Sequence, residues 1–145
     1  MNPWVVYCDG SAVPNPGRMG LGAVFTEPDG TRHTFSQAAH RVGCNNEAEL
    51  RALLATLQEL KSRGANTLLI HCDNSVVVEQ VGSSTAKPIT RLASLFDETR
   101  ALLNSFDQAD LVWIPSHRNS EADALARASL GITEKRVVKT SKKRR

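Results

Sequence analysis

Four acidic residues, Asp9, Glu49, Asp73 and Asp123, are spaced along the chain so that local patterning would deliver each to one place. Clustered carboxylates hold divalent cations, and cations so held serve phosphodiester hydrolysis. Taken singly, each acid has an ordinary reading. Asp9 opens Asp9-Gly10-Ser11, which is plain turn chemistry. Glu49 lies three residues after Asn46, the spacing of an N-cap and its capping-box partner. Asp73 could cap the helix that follows it, and Ser120 with Asp123 is a second capping-box pair. Coincidence covers any one of these placements and is a poor account of all four.

The elements that must position the acids can be read from periodicity. Trp4-Val5-Val6-Tyr7-Cys8 is a buried strand that Asp9-Gly10-Ser11 is expected to end, followed by a rigid Pro14-Asn15-Pro16-Gly17 loop. Strands over 19–25 and 32–39 flank the hairpin signal Glu27-Pro28-Asp29-Gly30. Leu50, Leu53, Leu54, Leu57 and Leu60 predict a helix over 46–63, stopped by Gly64, with Glu49 on the shoulder of its leucine face. A strand over 67–72 leads into a short helix over 74–81. Gly82-Ser83-Ser84 breaks that helix, and Lys87-Pro88 opens a longer one to about Asn104. A strand over 110–114, a polar loop from Pro115 to Asn119 carrying His117, and a helix over 120–130 complete the pattern. A meander followed by βαβ units makes an α/β mixed sheet with helices on its faces. If the strands of Asp9 and Asp73 are parallel neighbours, both acids emerge at one carboxyl edge, where open sheets build sites. Gly17, Gly20 and Gly22 lack dinucleotide-binding spacing and precede a strand, so they read as close strand packing or a bulge.

With these residues in view, the chain resembles a type 1 ribonuclease H. The matching pieces are Tyr7-Cys8-Asp9-Gly10-Ser11 with Asn15-Pro16-Gly17, Asn45-Asn46-Glu47-Ala48-Glu49-Leu50 and Cys72-Asp73-Asn74-Ser75. Trp113-Ile114-Pro115-Ser116-His117 and Glu121-Ala122-Asp123-Ala124-Leu125-Ala126 follow in the same order. The resemblance implies a five-stranded mixed sheet, a three-strand antiparallel meander plus two parallel strands, flanked by helices. It implies endonucleolytic cleavage of the RNA strand of RNA/DNA hybrids, leaving 5′-phosphate and 3′-hydroxyl ends. Asp9, Glu49, Asp73 and Asp123 would hold two Mg2+ ions about 4 Å apart, with Mn2+ also supporting activity. All-oxygen ligands favour these ions over zinc. One ion would activate the attacking water and the other would stabilise the leaving 3′ oxygen.

His117 matches the family's loop histidine and would carry a proton or help release product; an idle exposed histidine is the alternative. Gly10, Ser11, Asn15, Cys44, Asn45 and Asn46 match substrate-binding positions, where asparagine amides suit the 2′-hydroxyl and the shallow minor groove. The chain departs from the pattern in three places. Cys44 stands where relatives often carry a phosphate-binding threonine. Five residues separate His117 from Asp123, fewer than in many relatives. Between Asp73 and the Lys87–Asn104 helix, Gly82 to Pro88 replaces the basic, tryptophan-containing protrusion that grips DNA.

The 145 residues, 41% apolar and 23% charged, suit one soluble globular domain. No run is long enough for a membrane span, and a strand so near Met1 leaves no room for a signal peptide. The cytoplasm is the expected location, and a monomer without an obligate protein partner the expected state. Cys8, Cys44 and Cys72 have no metal spacing and read as reduced residues, Cys8 and Cys72 facing each other across adjacent strands. The net charge of +3 is uneven: residues 135–145 hold seven basic residues and no acid, leaving eleven basic against fifteen acidic residues elsewhere. The expected organisation is therefore a catalytic domain over 1–133 and a basic tail over 134–145. The tail reads equally as a flexible arm for a polyanion or as a solvated terminus. A non-cutting binding module of the same fold is disfavoured by the presence of all four acids. A resolvase or integrase is disfavoured by chain length and by the Asn-Asn-Glu-Ala-Glu helix start.

Overall fold

The computed structural model describes residues 2–82 and 90–133. Its first strand, β1 (Trp4–Val13), runs straight through Asp9-Gly10-Ser11 instead of stopping there. Pairing is the reason. β2 (Gly17–Thr26) folds back antiparallel, with Asp9 opposite Gly22 and Val13 opposite Arg18. β3 (Arg32–Gly43) pairs with β2 and completes the meander, with a register shift between Arg18 and Met19. β4 (Thr67–Cys72) joins β1 in parallel, and β5 (Gln108–Trp113) joins β4 in parallel. The strand order is β3-β2-β1-β4-β5, in the five-stranded mixed sheet that the resemblance implies.

Four α-helices are described: α1 (Asn45–Ser62), α2 (Ser75–Gly82), α3 (Ala93–Asn104) and α4 (Ser120–Ala128), with 3-10 turns at Thr90–Leu92 and Ser116–Arg118. α1 begins one residue early, because Cys44 rather than Asn46 occupies the N-cap, and no side chain caps it. The capping box of Asn46 and Glu49 is therefore not formed. Gly64, with φ of 80°, takes the left-handed conformation that ends this helix. α4 likewise has Asn119 at its N-cap without a side-chain hydrogen bond, so Ser120 and Asp123 make no capping box either. Residues 83–89, including Lys87-Pro88, and the tail 134–145 lie outside the described residues.

The core fills the space between α1 and one sheet face. Leu50, Leu53, Leu57 and Leu60 pack there with Val6, Cys8, Leu68, Ile70 and Cys72, and Val77, Val81, Phe96 and Leu103 extend the layer. Truncating such a leucine to alanine costs about 2–5 kcal/mol. α4 crosses the opposite face over β1, β2 and β3. Gly20 and Gly22 make that crossing possible: a Cβ would stand 2.1 Å from the Ala126 carbonyl oxygen at the first and 2.4 Å from that of Ala122 at the second. These glycines therefore serve helix-on-sheet contact, not the strand packing expected for them, and the register shift falls between Arg18 and Met19. No helix among the described residues is long and apolar enough to cross a membrane.

Candidate active site

The parallel pairing of β1 with β4 sets the first two acids. Cys8 is in register with Cys72, so Asp9 and Asp73 follow side by side where β4 ends. β1 continues past this point and leaves Asp73 beyond the last rung of its own strand. Glu49 arrives from α1, and Gly10 admits it. A Cβ at Gly10 would lie 2.1 Å from the Ala48 carbonyl oxygen, so only glycine lets the first turns of α1 lie on β1. Asp123 comes from the first turn of α4.

Oxygens of Asp9, Glu49 and Asp73 lie within 4.8 Å of one another. Asp123 stands outside that trio but reaches Asp9, to which it contributes both a hydrogen bond and negative charge. Asp9 is the hub, 4% exposed, with its Oδ1 accepting the Gly10 N–H at 3.0 Å. Burial pushes its carboxyl up to about 7, the hydrogen bond with Glu49 opposes the rise, and the charges of Asp73 and Asp123 add to it. Glu49 is held well above the usual carboxylate range, first by burial and then by Asp9. Acids this close repel when ionised, so the cluster is relieved either by protons or by cations. With oxygen-only donors at this spacing, the residues fit Mg2+ or Mn2+.

An amide network surrounds the acids. The Asn45 Oδ1 accepts the Ala12 N–H at 2.9 Å, and the Asn45 N–H donates to the Asn15 Oδ1 at 3.1 Å. The Asn46 Oδ1 accepts from the Asn74 side chain at 2.8 Å. Each of the three amide oxygens is thus engaged by a protein donor, which leaves the NH2 groups of Asn15, Asn45 and Asn46 to donate. Asn74 also caps α2, its Oδ1 accepting the Val77 N–H at 3.1 Å, so the capping role considered for Asp73 falls to its neighbour. The Trp113 indole holds the Asp73 carbonyl at 3.1 Å.

The cleft over the acids, about 410 Å³, includes Gly10, Ser11 and Asn45 in its wall, with Ser116 and Arg127. Arg127 was not among the residues expected there. It lies one helical turn after Asp123, a spacing that could have flagged it. Its Nε is buried without a hydrogen-bond partner among the described residues. Cys44 does not stand alone, because its Sγ accepts from the Arg91 guanidinium at 3.4 Å. Burial would raise this thiol, but the hydrogen bond and charge of Arg91 and the amides of Glu47 and Asn46 outweigh it and lower its pKa. His117 sits exposed on the 3-10 turn, next to the cleft residue Ser116. Cys8 and Cys72 are free, buried and in register.

Fold and carboxylate cluster together define a ribonuclease H-like domain. Residues 7–129 match the family described as "Reverse transcriptase-like". The bifunctional protein Rv2228c of Mycobacterium tuberculosis is 34% identical over 123 residues, which cover 84% of this chain and 34% of that protein. The chain thus spans about a third of that relative's length. The crystal structure of RNase H1 from Halobacterium salinarum superposes with a TM-score of 0.82 at 27% identity, covering 90% of this chain and 98% of that one. LC11-RNase H1 in complex with RNA/DNA hybrid gives a TM-score of 0.77 at 27% identity, covering 88% and 96%. The chain belongs to the ribonuclease H family, as its motifs suggested.

Proposed function

We propose that this chain is a metal-dependent endoribonuclease that hydrolyses the RNA strand of RNA/DNA hybrids and leaves 5′-phosphate and 3′-hydroxyl ends. The observation that carries the reading is the trio of carboxylates within 4.8 Å, with the hub Asp9 raised to about 7. Acids kept together against such repulsion are the expected mark of a cation site. The hybrid bound by LC11-RNase H1 supports the choice of substrate.

Asp9, Glu49, Asp73 and Asp123 would hold the ions. When bound, Mg2+ or Mn2+ supplies activation of a water nucleophile and stabilisation of the leaving 3′ oxygen. The chain's own residues do the rest. Burial of Asp9 and Glu49 excludes the water that would otherwise screen them, which strengthens their hold on a cation. The NH2 groups of Asn15, Asn45 and Asn46 donate to acceptors along the shallow groove of the hybrid, including the 2′-oxygen that separates RNA from DNA. Gly10 and Ser11 line the cleft beside the acids and would contact the substrate there. Arg91, beside Cys44, supplies the cation that a thiol cannot supply, and Arg127 offers a second one to the phosphates. His117 carries a proton at the edge of the site. We assign this work to residues 1–133 of a cytoplasmic monomer, with the basic residues of 134–145 adding grip.

The test is cleavage of a 5′-labelled RNA/DNA hybrid, with duplex DNA and duplex RNA as controls. Only the RNA strand of the hybrid should be cut, chelator should stop the cut, and Mg2+ or Mn2+ should restore it. Full activity in excess chelator, or equal cutting of duplex DNA, would refute the proposal.

A further inference from the structure

We propose that Asn119 is a positioning residue for the metal site, its side-chain amide fixing the Asp73 carboxylate against β1 and against the helix that carries Asp123. The inference rests on reading the acids as a cation site.

Asn119 is 1% exposed, although it is a polar residue in the loop between β5 and α4. Its Nδ2 donates to the carbonyl oxygen of Cys8 at 2.9 Å and is directed at the Asp73 Oδ2 at 3.4 Å. Cys8 immediately precedes Asp9. The Asn119 carbonyl in turn accepts the Asp123 N–H at 3.1 Å. One residue therefore touches the strand of Asp9, the carboxylate of Asp73 and the backbone of Asp123.

What the side chain does not do is equally informative. An asparagine just before a helix normally turns its oxygen to the first amides of that helix. Here α4 has no side-chain cap, and the buried Asn119 Oδ1 has no hydrogen-bond partner among the described residues. Buried polar atoms are rarely left so. The rotamer that would satisfy the helix has been given up for one that turns the NH2 group to the Cys8 carbonyl and the Asp73 carboxylate. Asp73 lies past the end of β4, where the Trp113 indole holds its backbone carbonyl and the Asn119 amide addresses its carboxylate. A donor on one carboxylate oxygen orients the other and opposes rotation, as partners behind metal ligands do.

Asn119→Ala and Asn119→Leu separate positioning from packing, since leucine keeps the volume and removes the amide. Mn2+ binding would be followed by calorimetry without substrate, beside thermal melts in chelator. Hybrid cleavage would be followed against Mg2+ concentration. Weakening of Mn2+ binding by about 10- to 100-fold is expected. The Mg2+ needed for half-maximal cleavage should rise in the same proportion, while KM for the hybrid at saturating metal stays within about twofold. Mn2+ affinity unchanged in a folded variant would overturn the proposal. So would a loss that merely follows the unfolded fraction in the melts, since that marks a packing role. If alanine does not fold, the leucine variant carries the same decision. Should the wild-type chain bind Mn2+ but cut no hybrid, the activity reading fails, and Asn119 is still judged by the titration.

Discussion

The two ends of β1 are built on opposite electrostatic plans. At the Trp4 end, charges meet partners. His33 Nε2 lies 2.6 Å from Glu27 Oε2, and its ring stacks on Phe25 at 5.2 Å and Trp4 at 6.5 Å. Arg63 pairs with Glu59 at 2.7 Å and reaches His33 Nδ1 at 3.3 Å. At the Asp9 end, three carboxylates face one another and a fourth adjoins them. Both ends lie on the same sheet over the same leucine layer, so fold stability does not require the second arrangement. A group of like charges retained at a cost to the fold marks the end reserved for a ligand.

The largest effect should come from removing charge at the crowded end. Asp9→Asn and Asp73→Asn should each lower hybrid cleavage by roughly a thousandfold or more, because an amide oxygen cannot neutralise a cation. Circular dichroism should show both variants folded. A variant retaining a tenth of the wild-type rate would break the comparison. His117→Ala should act less deeply, by at most about a hundredfold in turnover, the low end for a positioned proton carrier. Its metal dependence should match the wild type. A loss as deep as that of Asp9→Asn would move His117 into the centre of the site, and an unchanged rate across neutral pH would leave it an idle loop residue.

The crowded end should also announce itself in stability. The folded carboxyl of Asp9 is raised to about 7 from an ordinary value near 3.8, so between those values the folded state binds more protons than the unfolded state. Stability from this group is complete at low pH and is lost as pH rises through 7. Metal-free protein should therefore melt at lower temperature at pH 8 than at pH 5.5. Mg2+ should reduce the slope, and Asn at position 9 should flatten it while raising the metal-free melting point at pH 8. Equal slopes for the wild type and Asp9→Asn would mean that the repulsion is relieved by other means.

Much of this contrast was legible in the chain, and the failures have physical causes. The strands and the meander followed from apolar runs and turn signals, and the right-handed crossover rule put helices on the sheet faces, whereas the five-stranded mixed sheet came from the family resemblance. Asp73, Glu49 and Asp123 could be placed because each follows or opens a recognisable element. The end of β1 was misjudged because Asp-Gly is turn chemistry locally, whereas pairing with Leu21 and Gly20 of β2 keeps Gly10 and Ser11 in the sheet. Both capping boxes failed for a related reason: each helix starts earlier than the local spacing suggests, so Asn46 and Ser120 lie inside α1 and α4 while Cys44 and Asn119 occupy the N-caps. The contacts of Asn119 had no local signal, because nothing distinguishes a loop asparagine until α4 is docked on the sheet, whereas Arg127 carried only its spacing of one helical turn from Asp123.

At the paired end the expected effect is small and confined to stability. Glu27→Ala removes the partner of His33 and should cost about 1 kcal/mol, the upper range for a half-exposed pair. That corresponds to a fall in Tm of roughly 2–4 °C. Hybrid cleavage and metal affinity should not change. A measurable loss of turnover would show that the two ends communicate, and the comparison would need a coupling between them.

The smallest effect concerns a third region, the tail. Outside residues 135–145, acidic residues outnumber basic ones by fifteen to eleven, so the body repels a polyanion except near its cations. Arg91 and Arg127 are two such cations by the site. Lys135, Arg136, Lys139, Lys142, Lys143, Arg144 and Arg145 add seven more positive charges in one short stretch. Cations of this kind meet backbone phosphates, carry no sequence information and release counterions. For every phosphate that the protein ceases to neutralise, the slope of log affinity against log salt falls by about 0.9. Deleting 134–145 should accordingly raise KM a few-fold at low salt, flatten the salt dependence, and leave turnover at saturating hybrid unchanged. The metal requirement should stay the same, since every acid of the site lies before residue 134. If the truncated chain binds hybrid as tightly as the full one at low salt, the grip lies wholly in the body. Arg91→Ala and Arg127→Ala would then be the variants that raise KM.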